Sequence, residues 1–295
     1  MSSNIKEQLK LNRPQLSDSS LTTYTSILKN LYKNMYESED YDYDKFNDSK
    51  KVINYLKTLE PNKRKTTLSA LFVLTENKAY RKAMIDDINS YDIEMKKQEK
   101  SEAQEEGWVD TEDINKLIEY LETQVKHFYK QDVTSMDILQ AIQNYILACL
   151  VSGLYVPPRR SKDMCDFKIK NIDKEKDNYI DKNELVYNSY KTFKTYGQQR
   201  VKMPKKLQSI LKKWISINPT DYLFFDKNSN PLTNVKMNQR LNRLFGKKSG
   251  MNALRHTYLT DKYKEHSMKD KELKKDVKAM GTSVHQALNA YIKVD

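Results

Sequence analysis

Apolar residues recur along this chain at the spacing of helix faces. Leu21, Tyr24, Ile27, Leu28, Leu31, Tyr32 and Met35 follow one another at short helical intervals, which predicts an amphipathic helix. Ser17 or Asp18 is placed to cap it. A second helix starts near Asp48, with Val52, Ile53, Tyr55, Leu56 and Leu59 as its apolar set, and Pro61 ends it. "RKTTLSALFVLTEN" and "YRKAMIDDINSYDIEM" predict a third and a fourth. The four make a small bundle over residues 14–93, preceded by a polar segment, 1–13, that is expected to be loose. "EMKKQEKSEAQEE", residues 94–106, loses the apolar period and reads as a linker.

A second domain is expected over residues 107–295. "VDTEDINKLIEYLE" turns Leu117, Ile118 and Leu121 inward, and "MDILQAIQNYILACLVSGLY" reads as a buried helix. "NELVYNSYKTFKTYGQQRVKMP" is rich in β-branched and aromatic residues around "TYGQ", the pattern of a hairpin whose far strand ends at Pro204. "KKLQSILKKWISIN", "NVKMNQRLNRLFGKKS" and the chain from Met251 return to helical spacing. The expected fold class is mainly α with a small β-hairpin or sheet, an α+β arrangement.

Charge narrows the picture. Of 295 residues, 52 are Lys or Arg and 40 Asp or Glu, a net charge of +12. With 38% hydrophobic residues to build a core, that surplus points to nucleic acid or another anionic surface. A merely soluble, lysine-rich surface is the plain alternative. Cys149 and Cys165 show no CxxC spacing, so neither a zinc site nor a disulfide framework is expected. No long apolar run and a polar N-terminus predict neither a membrane span nor a signal peptide. The expected setting is intracellular, with nucleus and cytoplasm both open; "PNKRK" is a weak import signal. Nucleotide-binding, metalloprotease and serine-hydrolase motifs are missing, and acidic residues are too scattered to single out a metal triad. No metal or cofactor is expected.

The basic residues are what cluster. "SGLYVPPRRSKDMCDFKIKNID" (152–173), "KTFKTYGQQRVKMP" (191–204) and the segment from "SGMNALRHTYLT" to "AMGTSVHQALNAYIKVD" (249–295) give, in order, Arg, Lys, Arg-His and a late Tyr. This arrangement resembles the tyrosine recombinase (phage-integrase) family, over nearly the whole chain. The resemblance implies a helical core-binding, DNA-binding domain followed by a tyrosine recombinase catalytic domain, together clamping a duplex. Carried over residue by residue, it implies Arg160 as the first catalytic arginine, with Asp163 as the acid three residues on; Arg159 ranks second. Lys194 in "KTYG" looks like the hairpin lysine, with Lys191 as the alternative. Arg255 in "ALRHT" is the second arginine and Tyr291 the nucleophile. Two positions depart from the family: Asn252 stands where it usually has His or Lys, and Thr282 where it has His or Trp. His256 and His285 lie nearby and would be supporting residues.

These residue types suit phosphodiester chemistry. A tyrosine oxygen attacks phosphorus and displaces a 5′ hydroxyl. Arginine forks match the non-bridging oxygens, and a lysine can give the leaving oxygen its proton. The 3′-phosphotyrosine intermediate keeps the bond energy, so rejoining needs neither metal nor ATP. With 20 Tyr and 52 Lys plus Arg, any one of these alone would more often be a surface or packing residue; order and spacing together carry the reading. The resemblance implies a site-specific recombinase or integrase of a virus or mobile element, acting as a tetramer on two double-stranded DNA duplexes. A telomere resolvase or type IB topoisomerase uses the same residues, and a degenerate DNA-binding relative would keep the fold without cleaving.

Overall fold

The computed structural model describes residues 5–130, 133, 135–280 and 283–286. The chain separates into two compact units, 1–99 and 100–295, each with its own apolar core. No described helix is long and apolar enough to cross a membrane.

The first unit contains α1 (Ile5–Asn12), α2 (Asp18–Tyr36), a 3-10 turn (Tyr43–Asn47), α3 (Ser49–Leu56), α4 (Pro61–Thr75) and α5 (Lys78–Lys96). Of the two cap candidates before α2, Ser17 serves, accepting from the Ser20 amide; Asp48 accepts from the Lys51 amide at the start of α3. Pro61 opens α4 as its first residue, where its missing N–H costs nothing. Arg64 and Asp87 form a forked ion pair between α4 and α5, with Nε to Oδ2 at 2.7 Å and Nη2 also donating to Oδ1.

Residues 5–12 correct the expectation of a loose start. Ile5 and Leu9, one turn apart, are buried in the bundle. Asn12 Nδ2 donates to Val73 O at 2.8 Å and Leu74 O at 2.9 Å, two carbonyls in the last turn of α4 that helix geometry leaves without partners. Asn12→Ala should therefore destabilise this unit by about 1–2 kcal/mol. Hydrogen exchange in α1 and α4 would read the loss; unchanged protection there would refute it.

The stretch 94–106 is likewise not uniform loop. Glu94 to Lys96 complete α5, and α6 (Glu102–Gly107) begins at a capping box in which Ser101 and Gln104 bond each other's backbone amides. A helix held by its cap carries no apolar period to detect.

The second unit continues with α7 (Thr111–Phe128), α8 (Met136–Val151), α9 (Ser161–Cys165), β1 (Tyr179–Asp181), β2 (Glu184–Tyr187), α10 (Phe193–Tyr196), β3 (Gln199–Lys202), α11 (Lys205–Ile217), α12 (Asn234–Phe245), α13 (Met251–Ala279) and α14 (Val284–Gln286). The central helix is α8, whose buried residues run continuously from Tyr145 to Val151. Trp214 of α11 is fully buried, stacks on Phe225 and gives its indole N–H to Leu223 O at 2.9 Å. The sheet is antiparallel, in the order β1-β2-β3.

The hairpin expectation needs correction in its connection. β2 and β3 do pair, with Tyr187 opposite Gln199, but residues 188–198 join them through the helical turn α10 rather than a tight turn at "TYGQ". The tight hairpin is β1–β2. Its left-handed turn position is Lys182, at φ 54°, a residue type that gives no turn signature.

Candidate active site

The site begins where α8 ends. Gly153 has φ +84°, and a Cβ built on it would lie 2.3 Å from Cδ2 of Tyr258. The first turns of α13 thus press directly on the connection that leads to α9. Leu254, fully buried, and Thr257, whose hydroxyl donates to Val109 O at 2.9 Å, fix α13 in the core of the second unit. Between them stands Arg255, half-buried.

Arg160 is the N-cap residue of α9; its carbonyl accepts from the Asp163 amide at 3.0 Å. No described residue accepts a hydrogen bond from its guanidinium. The neighbouring Arg159 is engaged through Nε, Nη1 and its guanidinium face. Its Nε donates to Asp163 Oδ2 at 3.1 Å, its Nη1 to Gln199 Oε1, and its guanidinium carbon lies 4.3 Å and 4.8 Å from the ring centres of Tyr187 and Tyr190. The acid counted from Arg160 thus binds Arg159. Asp163 is itself buried, and that burial raises its pKa against the pull of Arg159 and Arg160. Asn178 locks α9 to the sheet: its Nδ2 donates to Asp163 O and Ser189 O, and its Oδ1 accepts from the amides of Asn188 and Ser189.

Arg255 belongs to the same cluster. Its pKa is pushed down by burial first, then by the positive charge of Arg160, with Arg159 adding to this and Asp163 opposing. Three guanidinium groups therefore share a neighbourhood with one buried carboxylate. The net positive field left over is suited to a doubly charged oxyanion.

The other expected residues are distributed around this cluster. Lys191 and Lys194 are exposed on the β2–β3 connection, Lys194 within α10. Asn252 is exposed one turn before Arg255, and its Oδ1 accepts from Arg255 Nη1 at 3.5 Å. His256 is exposed beside it, and His285 is exposed on α14. Thr282 and Tyr291 lie outside the described residues. Gln199, Tyr187 and Tyr190 escaped the sequence reading. Nothing in spacing links them to Arg159, since the sheet alone brings them together. Arg240 of α12 is a core residue: Gln140, Gln143 and Phe225 O accept from its fork, and burial lowers its pKa to about 10. Among the described residues no three His, Cys, Asp or Glu side chains gather as metal ligands would.

Residues 108–294 match the model of the phage integrase family. No curated protein matches the chain. Among solved structures, a XerA recombinase is similar at 13% identity over 87% of this chain and 82% of its own, with a TM-score of 0.35. A lambda integrase dimer bound to a COC′ core site is similar at 13% identity over 88% of this chain and 69% of its own, with a TM-score of 0.47. A lambda integrase(75–356) dimer on the same kind of site gives 12%, 86%, 85% and 0.46 for the same quantities.

Proposed function

We propose, for a chain that belongs to the phage integrase family of tyrosine recombinases, that it breaks and rejoins double-stranded DNA at specific sites through a 3′-phosphotyrosine intermediate. Arg160 and Arg255 would hold the two non-bridging oxygens of the scissile phosphate. Tyr291 would be the nucleophile and Lys194 the proton donor to the leaving 5′ oxygen, with Lys191 second in line. The observation that supports this most is the charge coupling of the two arginines: after burial, the positive charge of Arg160 is the largest influence lowering the Arg255 pKa, and no described residue accepts a hydrogen bond from the Arg160 guanidinium. Two such forks, from segments far apart in sequence, are what a five-coordinate phosphorus with growing charge requires.

The reaction balances without an outside reagent. The Tyr291 phenol loses its proton to solvent and its oxygen bonds phosphorus. The P–O5′ bond breaks as the lysine ammonium protonates O5′. In rejoining, a 5′ hydroxyl attacks the phosphotyrosine and gives its proton back to the lysine amine, and the tyrosine oxygen leaves as a phenolate that takes a proton from solvent. Four protomers on two duplexes would carry this out strand by strand, on the DNA of a virus or mobile element. The lysine-rich surface would make binding steeply salt-dependent. A DNA-binding protein of the same fold that no longer cleaves is the competing reading, favoured by Asn252 and Thr282 at the two departed positions.

The test is a covalent adduct. The protein is incubated with a plasmid carrying the DNA that flanks its own gene, then denatured and digested. The expected product is a nucleotide-bearing peptide that maps to Tyr291. Salt-sensitive binding without any adduct would give the competing reading the case.

A further inference from the structure

We infer that Arg159 is a positioning residue that fastens the lysine-bearing β2–β3 connection to the arginine cluster, so that its effect on cleavage passes through protonation of the leaving group. This rests on the strand-cleavage reading above.

The connection 188–198 is closed at its base. Gln198 Nε2 donates to Asn188 Oδ1 at 2.9 Å, and the Tyr190 hydroxyl donates to Gly197 O at 2.6 Å. Beyond that neck, Lys191 to Tyr196 project outward, all exposed except half-buried Thr192. Arg159 grips the neck at three points. It donates to Gln199, the first residue of β3; it lies against Tyr187, the last of β2; and it lies against Tyr190 inside the neck. Tyr190 in turn meets Phe193 edge-on, with ring centres 5.8 Å apart and planes at 87°, and Phe193 precedes Lys194. On its other side Arg159 is tied to Asp163, on the helix that Arg160 caps.

A purely structural arginine–carboxylate pair this buried would be expected to close both arms of its fork. Arg159 closes one. Its Nη2 and the free oxygen of Asp163 are buried without a hydrogen-bond partner among the described residues, while Nη1 goes to Gln199. The fork is divided between the helix that Arg160 caps and the strand end that closes the lysine-bearing connection. Proton transfer depends steeply on donor placement, so the grip bears on the lysine more than on the phosphate.

The experiment compares two synthetic duplexes containing the site at which wild type forms its adduct. One has the normal 5′-bridging oxygen and one a bridging sulfur, whose thiolate leaves without a proton. Arg159→Met keeps the stem between the two rings and removes the fork. It should slow cleavage of the oxygen duplex by about 10²–10³-fold and cleave the sulfur duplex at close to the wild-type rate, as Lys194→Ala should. Arg160→Ala should be slow on both. Gln199→Leu, which leaves the Arg159–Asp163 pair intact, should show the same pattern as Arg159→Met to a smaller degree, and it carries the test if Arg159→Met does not fold. Equal slowing of both duplexes by these variants would overturn the inference alone. Cleavage of neither duplex by wild type would overturn the strand-cleavage reading, and the inference with it.

Discussion

Arg255→Met should lower DNA cleavage by roughly 10³–10⁵-fold, the range seen when a transferring phosphoryl group loses its arginine, and at the same time raise the melting temperature of the DNA-free protein. The two signs come from one cause. The Arg255 guanidinium is half-buried and its pKa is lowered, by desolvation and then by Arg160. A basic group with a lowered folded-state pKa carries its charge at a cost to the folded state at every pH where it stays protonated, and arginine stays protonated throughout the working range. Removing the charge while keeping the aliphatic stem ends that cost without opening a cavity. Solvent screens part of that cost, so the gain should be small, at most a few degrees. Arg255→Lys keeps the charge and loses the fork, so it should lose cleavage without the thermal gain. DNA affinity should fall far less than cleavage, because one phosphate contact among many sets only a small part of the salt-dependent binding. Thermal melts with and without duplex, beside single-turnover cleavage, read all three quantities. A variant that melts lower and cleaves normally would remove Arg255 from the site.

The parts of the molecule that the sequence made legible are those held by local chemistry. Ser17, one of the two cap candidates, caps the helix it precedes, and the second helix starts beside Asp48 as its apolar set implies. The continuous apolar run of α8 could only be an interior helix. Leu254 beside Arg255 announced a helix that is anchored on one side and charged on the other. What stayed hidden depends on distant partners. Residues 5–12 have two buried apolar residues, too few for a period, and are secured by Asn12 reaching α4. β1 is three residues long and turns at a lysine. In sequence only the three-residue spacing to Asp163 ranks Arg160 ahead of its neighbour Arg159. The fold separates them by giving one a carboxylate, an amide and two rings, and leaving the other's guanidinium without a described acceptor. Tyr291 and Thr282 fall outside the described residues, so their roles rest on the adduct experiment.

Among the described glycines of the second unit, Gly153 is the one where an added methyl group should do most damage. Two costs combine there. At φ +84° a side chain is strained by about 1–2 kcal/mol. The new Cβ would also meet the Tyr258 ring at 2.3 Å, and overpacking of that kind adds about 1–3 kcal/mol. A total of about 2–5 kcal/mol predicts a fall of roughly 5–15 °C in melting temperature. The functional loss should exceed what unfolding explains. Tyr258 lies one turn beyond Arg255 on α13, and Gly153 begins the connection that ends at Arg160. Relief of the clash therefore moves the two arginines apart, and a displacement of about 1 Å in such a site costs on the order of 10²-fold in rate. A double-mutant cycle isolates the ring. In a Tyr258→Ala background the same Gly153→Ala change should cost only the backbone part, about 1–2 kcal/mol, with little further loss of cleavage rate. An equal cost in both backgrounds would mean that the Tyr258 ring does not set the distance between the arginine-bearing segments. The register of Arg255 against Arg160 would then have to come from the buried anchors Leu254 and Thr257 alone.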